Sequence, residues 1–217
     1  MVGFHFSGQM PDKDLAQRYG NSLSPGTSFT WKTRQNILVT VEGSYFFGKT
    51  VKDNITVNMR NSDGFIVNND GFSSDLRITE RGWNFQGRIG YIIPKTGFNK
   101  NCGLFFTVGA GYMQHKIKLY DAEKKVAAVH GDYYKGYDRF SGGFALSQLV
   151  GYMYLSKNRL ANCYIGIEAF EGFTKSYRGY NYDTGLADTK QRFDVLKGIR
   201  FGWILPLYKR TKDFYYN

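Results

Sequence analysis

The stretch that decides the fold runs from Trp83 to Ile93 and reads Trp-Asn-Phe-Gln-Gly-Arg-Ile-Gly-Tyr-Ile-Ile. One set of alternate positions is apolar, namely Trp83, Phe85, Ile89, Tyr91 and Ile93. The other set is polar or small, namely Asn84, Gln86, Arg88 and Gly90. Because successive side chains of a strand point to opposite sides of a sheet, this period of two predicts a β-strand with one apolar and one polar face.

The same alternation recurs along the chain. Between 37 and 47 an apolar set, Ile37, Val39, Val41, Tyr45 and Phe47, faces away from Thr40, Glu42 and Ser44. Further strands are predicted at about 2–9, 23–33, 102–120, 139–157, 161–175 and 192–208, which gives about eight in all. Several exceed the usual length of about five or six residues and reach the roughly 9 to 11 needed to cross a bilayer at a tilt.

Composition agrees with a β protein. The 217 residues show no linker and are interpreted as one domain, 1–217; they include 18% aromatics and 26 Gly but only 4 Pro, a mixture that favours strands and tight turns. No segment approaches the roughly 18 consecutive apolar residues of a membrane-spanning helix, and the mean hydropathy is -0.42. A helical membrane protein is therefore excluded.

The predicted connections alternate in length. Those around 34–36, 95–101 and 157–160 are short, whereas those around 10–22, 49–79, 121–137 and 176–191 are long and polar. Strict alternation puts every long loop at one end of the sheet. The pattern is typical of an all-β, closed, antiparallel, up-and-down transmembrane β-barrel of about eight strands, with short periplasmic turns and long extracellular loops.

The C-terminal region adds a resemblance. Gly198, followed by Phe201 and Trp203, resembles the last-strand signal read by the barrel insertion machinery, although residues 204–217 continue beyond it. With the strand layout, the chain resembles the small eight-stranded outer-membrane barrels of Gram-negative bacteria, and segments 135–139 and 177–183 resemble those of Bacteroidetes barrels. The resemblance implies a bacterial outer-membrane location. Because the start, Met-Val-Gly-Phe-His-Phe, shows no export signal, we expect that signal to have been removed.

In such a barrel the two faces have different partners. The apolar face should contact lipid through Trp83, Phe85, Ile89, Tyr91, Ile199, Phe201 and Trp203. The opposite face sends four charged side chains into the lumen: Glu42, Arg88, Glu168 and Arg200. Since buried charges must be paired and an eight-stranded interior is just wide enough to be filled by side chains, we predict a plug of salt bridges. The alternative is an ion path gated by rearranging salt bridges.

Candidate reactive groups are sparse. His5 and Ser7 share one face of the first strand, where Glu42 or Glu168 could orient the imidazole; this resembles the logic of lipid A deacylases, but the predicted face is inward rather than toward lipid. His115 and His130 are isolated in sequence, without the spacing of a metal site. We predict no catalytic residue, no metal and no cofactor.

Two further features have ordinary explanations. Oxygen donors crowd the longest loop at Asp63-Gly64, at 68–71 and at 73–75, where Ca²⁺ is conceivable but turn formation is the simpler interpretation. Cys102 and Cys163 lack metal or Cys-x-x-Cys spacing. A disulfide requires their strands to be close, and two small, half-buried free thiols are the simpler interpretation.

The loops and the charge suggest partners. Alternation at Ile55, Val57 and Met59, then at residues 65–67, predicts a hairpin above the membrane, and the candidate partner-binding residues are Phe65, Ile66, Val67, Tyr137, Tyr177, Tyr180 and Tyr182.

The net charge of +11 suits the anionic head groups of phospholipid and lipopolysaccharide. Basic residues concentrate near turns and the C-terminus at Lys95, Lys100, Lys157, Arg159, Lys209, Arg210 and Lys212. The sequence shows no basic helix of the kind that binds nucleic acid, so we do not expect nucleic acid as a partner.

These features favour a non-enzymatic barrel with a filled lumen, acting as a structural or docking accessory subunit of a larger outer-membrane assembly for secretion or insertion. The alternatives are a narrow channel for ions or small solutes, a lipid A-modifying barrel enzyme, and a soluble lipocalin-like carrier with inverted faces.

Overall fold

The computed structural model describes residues 1–94, 96–97, 102–122, 125–126, 129–156 and 162–207. Its strands, in chain order, are β1 (Val2–Asp12), β2 (Ser22–Lys32), β3 (Ile37–Gly48), β4 (Ile66–Val67), β5 (Ser73–Ser74), β6 (Leu76–Ile92), β7 (Gly103–Asp121), β8 (Ser141–Leu155), β9 (Asn162–Ser176) and β10 (Gln191–Leu205). Among the elements of the described residues, the α-helix α1 (Lys13–Arg18) and the 3₁₀ turns Val57–Met59 and Tyr133–Gly136 lie in the connections.

The long strands close into an eight-stranded antiparallel barrel in the order β1-β10-β9-β8-β7-β6-β3-β2. The predicted fold class is confirmed. Each long strand pairs with the next long strand in sequence, and β1 closes the barrel on β10 with Val2 opposite Leu205. Closure satisfies the backbone of every strand, because a barrel has no open edge.

The main differences from the predicted strand bounds lie at the long-loop end. β6 begins at Leu76, not at 83, because its first residues pair with the end of β7, where Leu76 lies opposite Asp121. Thr79, Glu80 and Arg81 break the apolar alternation there, so the sequence pattern predicts a loop up to residue 79. β1 likewise extends to Asp12, which lies opposite Val195 on β10.

Side chains alternate between the two surfaces of the barrel wall as the sequence pattern predicts. Trp83, Phe85 and Ile89 are exposed on the outside, while the intervening Asn84, Gln86 and Arg88 are buried inside. The exterior of the other strands continues this apolar belt with large exposed side chains: Phe4, Phe6, Phe29, Trp31, Val39, Val41, Phe106, Val108, Phe144, Val150, Ile165, Ile167, Ile199, Phe201 and Trp203.

A continuous apolar exterior around a polar interior is the inverse of a water-soluble fold, and the soluble carrier alternative is not supported. Exposing this many large apolar side chains to water would be very unfavourable, whereas a bilayer solvates them. The protein is a transmembrane β-barrel of the bacterial outer membrane. Of the helices that the described residues form, none is long and apolar enough to cross a bilayer.

The connections differ at the two ends of the barrel. At one end β2 and β3 are joined by residues 33–36, where Asn36 adopts a φ of 66° and the Thr33 hydroxyl accepts a hydrogen bond from Ile37 N at 3.1 Å. At the other end residues 49–75, 122–140 and 177–190 form long connections, and α1 lies between β1 and β2. The short turns predicted at 95–101 and 157–160 lie mostly outside the described residues, as do Lys95, Lys100, Lys157, Arg159, Lys209, Arg210 and Lys212.

The longest connection forms a hairpin that contains the predicted Ile66 and Val67, but the other predicted strand, around Ile55, Val57 and Met59, is wrong. Ile55, Val57 and Met59 do not form a strand, because Val57–Met59 is a 3₁₀ turn and Ile55 is buried in the core. The hairpin pairs Ile66 with Ser74 and Val67 with Ser73. Its turns are built by a sequence repeat, Asn-x-Asp-Gly-Phe, at 61–65 and 68–72.

Candidate functional site

The four predicted lumen charges meet at the middle of the barrel. Glu42 on β3 forms ion pairs with Arg88 on β6 at 2.9 Å and with Arg200 on β10 at 2.8 Å. Arg200 also pairs with Glu168 on β9 at 2.6 Å. Since β3 and β6 lie across the lumen from β9 and β10, this arrangement, which we call the central network, bridges the interior from wall to wall.

The central network is electrically balanced and almost fully buried. It contains two carboxylates and two guanidinium groups, and the side chains of Arg88, Arg200 and Glu42 are at most 5% exposed. Gln9 donates a further hydrogen bond to Glu168 at 2.9 Å, and both guanidinium groups lie against the buried Phe170 ring, at 5.2 Å for Arg88 and 5.9 Å for Arg200. A fixed, neutral cluster of this kind blocks a narrow lumen instead of lining a path through it.

The half of the lumen toward the short turns is closed by an apolar layer: Leu38, Ile92, Phe105, Leu149, Met153, Tyr164 and Ile204. Between this layer and the central network lies a cavity of about 40 Å³. That volume holds one or a few water molecules and no larger solute.

A second buried polar cluster closes the half toward the long loops. Asp194 on β10 accepts hydrogen bonds from Arg18 at 2.7 Å and from Thr174, and its other contact is His115 Nε2 at 3.0 Å. Arg18 reaches it because α1 folds into the barrel mouth, where Leu15 and Tyr19 are fully buried. We call this the upper cluster.

The upper cluster corrects one expectation and adds residues that the sequence pattern did not suggest. His115 appeared isolated, but it is fully buried and bound to Asp194, which lies 79 positions away in sequence. His130 likewise contacts Asp121 at 3.2 Å. Arg18 and Asp194 were not predicted because their pairing depends on strand register and on the inward fold of α1, neither of which leaves a local signal.

His5 and Ser7 do not form a catalytic arrangement. Both are buried on the inner face of β1, away from lipid. Within the described part of the chain, the two ring nitrogens of His5 make no hydrogen bond, and the Ser7 hydroxyl makes none either. The imidazole is therefore not oriented by Glu42 or Glu168 as a deacylase mechanism requires.

The long loops fold into an ordered cap held by ion pairs. Arg139 pairs with Asp183 at 2.5 Å, and Arg178 pairs with Asp138 at 2.5 Å, so the connection after β7 is tied to the one after β9. Asn58, in the connection 49–75, donates a hydrogen bond to the Asp183 carbonyl at 2.8 Å, which ties this third long loop to the other two. The hydrogen bond to Asp138 raises the pKa of Arg178, which keeps this link charged at any physiological pH.

Tyrosines occupy the top of this cap. Tyr182 contacts Tyr137, Tyr180 and Tyr133, with ring centroids 5.7, 6.1 and 6.4 Å apart. A Cβ atom added to Gly136 would lie only 2.1 Å from the Tyr182 ring, so the backbone of one loop packs directly on the ring of another. Burial raises the pKa of Tyr134, just beneath, to about 12. The cap is thus a packed aromatic surface.

The predicted partner-binding residues have different positions. Phe65 and Val67 are exposed on the β4–β5 hairpin, and Tyr180 and Tyr182 are exposed on the cap, but Ile66 is buried against the loop core and is not available to a partner. Tyr137 is only half-buried. Tyr177 lies lower, at the barrel rim, where its hydroxyl bonds that of Tyr112 at 2.6 Å.

The oxygen-rich loop uses its donors for turns. Asn61 Oδ1 accepts from the backbone of Asp63 and Phe65, and Asn68 Oδ1 accepts from Asp70 and Phe72. Gly64 and Gly71 supply the positive φ that each turn requires, at 85° and 83°. The described residues contain no group of His, Cys, Asp or Glu that could hold a metal ion.

The two cysteines are free. Cys102 is buried, and its Sγ accepts a hydrogen bond from Leu155 N at 3.1 Å, while Cys163 is partly exposed on the outer face of β9. The disulfide considered from sequence does not form.

Similar folds occur among solved outer-membrane proteins. Ail, the attachment invasion locus protein of Yersinia pestis, aligns with a TM-score of 0.43 and 7% identity, covering 93% of this chain and 96% of that one. Neisserial surface protein A aligns with a TM-score of 0.38 and 12% identity over 92% and 94%. OprG from Pseudomonas aeruginosa aligns with a TM-score of 0.39 and 13% identity over 93% and 91%. No protein-family model and no curated protein sequence matches the chain. Its class, an eight-stranded outer-membrane β-barrel, follows from its own strand pairing and exterior belt.

Proposed function

We propose that this protein is a non-enzymatic barrel whose filled lumen makes it a rigid membrane anchor, and that it acts as a structural or docking accessory subunit of a larger outer-membrane assembly for secretion or insertion. The observation that carries the proposal is the closure of the lumen at three successive levels: an apolar layer, the central network and the upper cluster.

A narrow channel is the weaker candidate. Opening a path would require breaking ion pairs whose groups are almost fully buried, which leaves unpaired charge in a low-dielectric interior. The 40 Å³ cavity ends against the central network, so it offers no path across the barrel. A lipid A-modifying enzyme has no support from His5 and Ser7, since both face inward.

The cap supplies a docking surface. Tyr133, Tyr180 and Leu186 are at least half exposed at its top, although the loops beneath them are fixed by two salt bridges between loops. Aromatic side chains on a pre-ordered surface bind partners at a low entropic cost, and Tyr is enriched among residues that dominate interface energies. Tyr180 belongs to segment 177–183, whose resemblance to Bacteroidetes barrels suggests that the assembly belongs to such an envelope.

The test is co-purification in mild detergent from the native membrane, comparing the wild type with the cap variant Y133A/Y180A. A matched control, R34A/Q35A, removes two exposed side chains from the turn at the opposite end. We expect a defined partner set to be retained by the wild type and the control and lost by the cap variant. A lone monomer in all three samples would contradict docking, and stepwise conductance in planar bilayers would favour a channel instead.

A further inference from the structure

We propose that the outer wall of the barrel carries a binding site for the phosphate groups of a phosphorylated glycolipid in the outer leaflet. The site is formed by the long-loop ends of β3, β6 and β7 and goes beyond the proposed docking role. Its five basic residues, which we call the rim patch, are Lys49, Arg77, Arg81, Lys116 and Lys118.

Strand register places like charges side by side in the rim patch. On β6 and β7, Arg81 lies directly opposite Lys116, and Thr79 lies opposite Lys118. Directly opposed side chains on one face have Cβ atoms about 4.5 to 5.5 Å apart, at which like charges repel. A cluster of this kind is stabilised when an anion lies between its members.

The described part of the chain does not supply that anion. Across the described residues, no carboxylate forms an ion pair with any member of the rim patch. Glu80 and Asp121, on the same strands, are buried on the inner face, and the exposed Asp75 forms no ion pair in the described part of the chain. By contrast, the exposed Lys197 on the opposite wall is paired with Asp12 at 2.5 Å.

The rim patch also has the shape and position of a lipid head-group site. A groove of about 330 Å³ is lined by Lys49, Arg77, Arg81 and Lys118, with Phe47 and Tyr120 as its aromatic walls. The apolar belt starts directly below, where the rings of Tyr45 and Trp83 pack at a tilt with their centroids 4.8 Å apart. A ligand with phosphate above and acyl chains below therefore meets cations and apolar rings in the right order.

The orientation of the barrel selects the leaflet. The rim patch lies at the end with the long loops, which face the exterior in outer-membrane barrels. The four cations that line a groove of this size suit more than one phosphate, and a sugar with two phosphate groups provides them within one molecule. We therefore assign the site to a bisphosphorylated glycolipid of the lipid A type and not to a phosphodiester lipid.

The test is lipid titration by native mass spectrometry on protein refolded in detergent without bacterial lipid. The probes are diphosphoryl lipid A, its monophosphoryl form and phosphatidylglycerol, with excess inorganic phosphate as a soluble competitor. We compare the wild type with R81Q/K118Q and with a control that removes the same charge elsewhere, K175Q/K197Q; a heat-modifiability gel shows that each barrel is folded.

We expect R81Q/K118Q to bind diphosphoryl lipid A about tenfold or more weakly than the wild type, since each basic residue near an anionic surface contributes separately to the free energy of binding. The control should stay within about twofold of the wild type, and inorganic phosphate should not displace the lipid. Equal losses in both variants, or tight binding of phosphatidylglycerol, would overturn the assignment. If R81Q/K118Q does not fold, K49Q/R77Q at exposed positions makes the same test.

Discussion

Neutralising one member of the central network should destabilise the barrel far more than removing it together with its partner. Glu42→Gln keeps the shape of the side chain but leaves Arg88 and Arg200 with a single carboxylate, Glu168. Because these groups are almost fully buried, we expect a loss of about 3 to 5 kcal/mol in the free energy of unfolding. Arg88→Met should cost a similar amount, because it leaves two carboxylates facing Arg200.

The double variant E42Q/R88M restores neutrality, since Arg200 and Glu168 remain paired at 2.6 Å. Its cost should therefore be well below the sum of the single costs, with a coupling energy of about 3 kcal/mol. The assay is equilibrium urea unfolding in lipid vesicles, followed by the fluorescence of Trp31, Trp83 and Trp203, which all lie on the lipid-facing surface.

Asp132→Asn is the matched control, because Asp132 is an exposed loop carboxylate paired with Lys135 at 2.6 Å. It should change stability by less than about 1 kcal/mol. Single-variant costs below about 1 kcal/mol, or additive costs in the double variant, would refute the idea that the network acts as one closed electrostatic unit.

Three further predictions follow from other parts of the structure. Asp194→Asn should release α1 from the barrel mouth by weakening its contact with Arg18, and limited proteolysis should then cut near 13–21 while the barrel remains intact; resistance equal to the wild type would show that α1 is held otherwise. Ile167→Lys, in the apolar belt, should cost about 2 to 4 kcal/mol in vesicles, and a neutral outcome would mean that this face does not contact hydrocarbon. Gly136→Ala should loosen the packing of Tyr182 and increase hydrogen exchange in 177–190. Gly131→Ala is the comparison: its φ of 59° strains the backbone, but the added Cβ meets open space and makes no such clash.

The two faces of the wall could be predicted from sequence because a barrel strand encodes them locally. Arg88 and Trp83 lie on opposite sides of β6 because one has an even and the other an odd sequence position, and successive side chains of a strand point to opposite faces. The same parity predicts the four residues of the central network, since buried charges must be paired and a narrow lumen brings inward charges together.

The upper cluster and the cap could not be predicted in this way, because their contacts join distant segments. His115 and Asp194 meet only through the register of several strands, and Arg18 joins them only because a six-residue helix folds inward. Ile66 is among the predicted partner-binding residues because its hairpin stands outside the membrane, where either a partner or the other loops must cover it; in the structure the neighbouring loops cover it. Loop packing of this kind leaves no periodic signal.

The most direct test of the membrane-facing belt and closed interior is fluorescence quenching of a variant that keeps only Trp83, with Trp31 and Trp203 replaced by Phe, in vesicles whose acyl chains carry bromine. Trp83 is 58% exposed on the outer surface, so we predict strong quenching by brominated lipid and weak quenching by aqueous iodide. Strong iodide quenching without an effect of bromine would mean that this face contacts water, and the transmembrane assignment would be wrong.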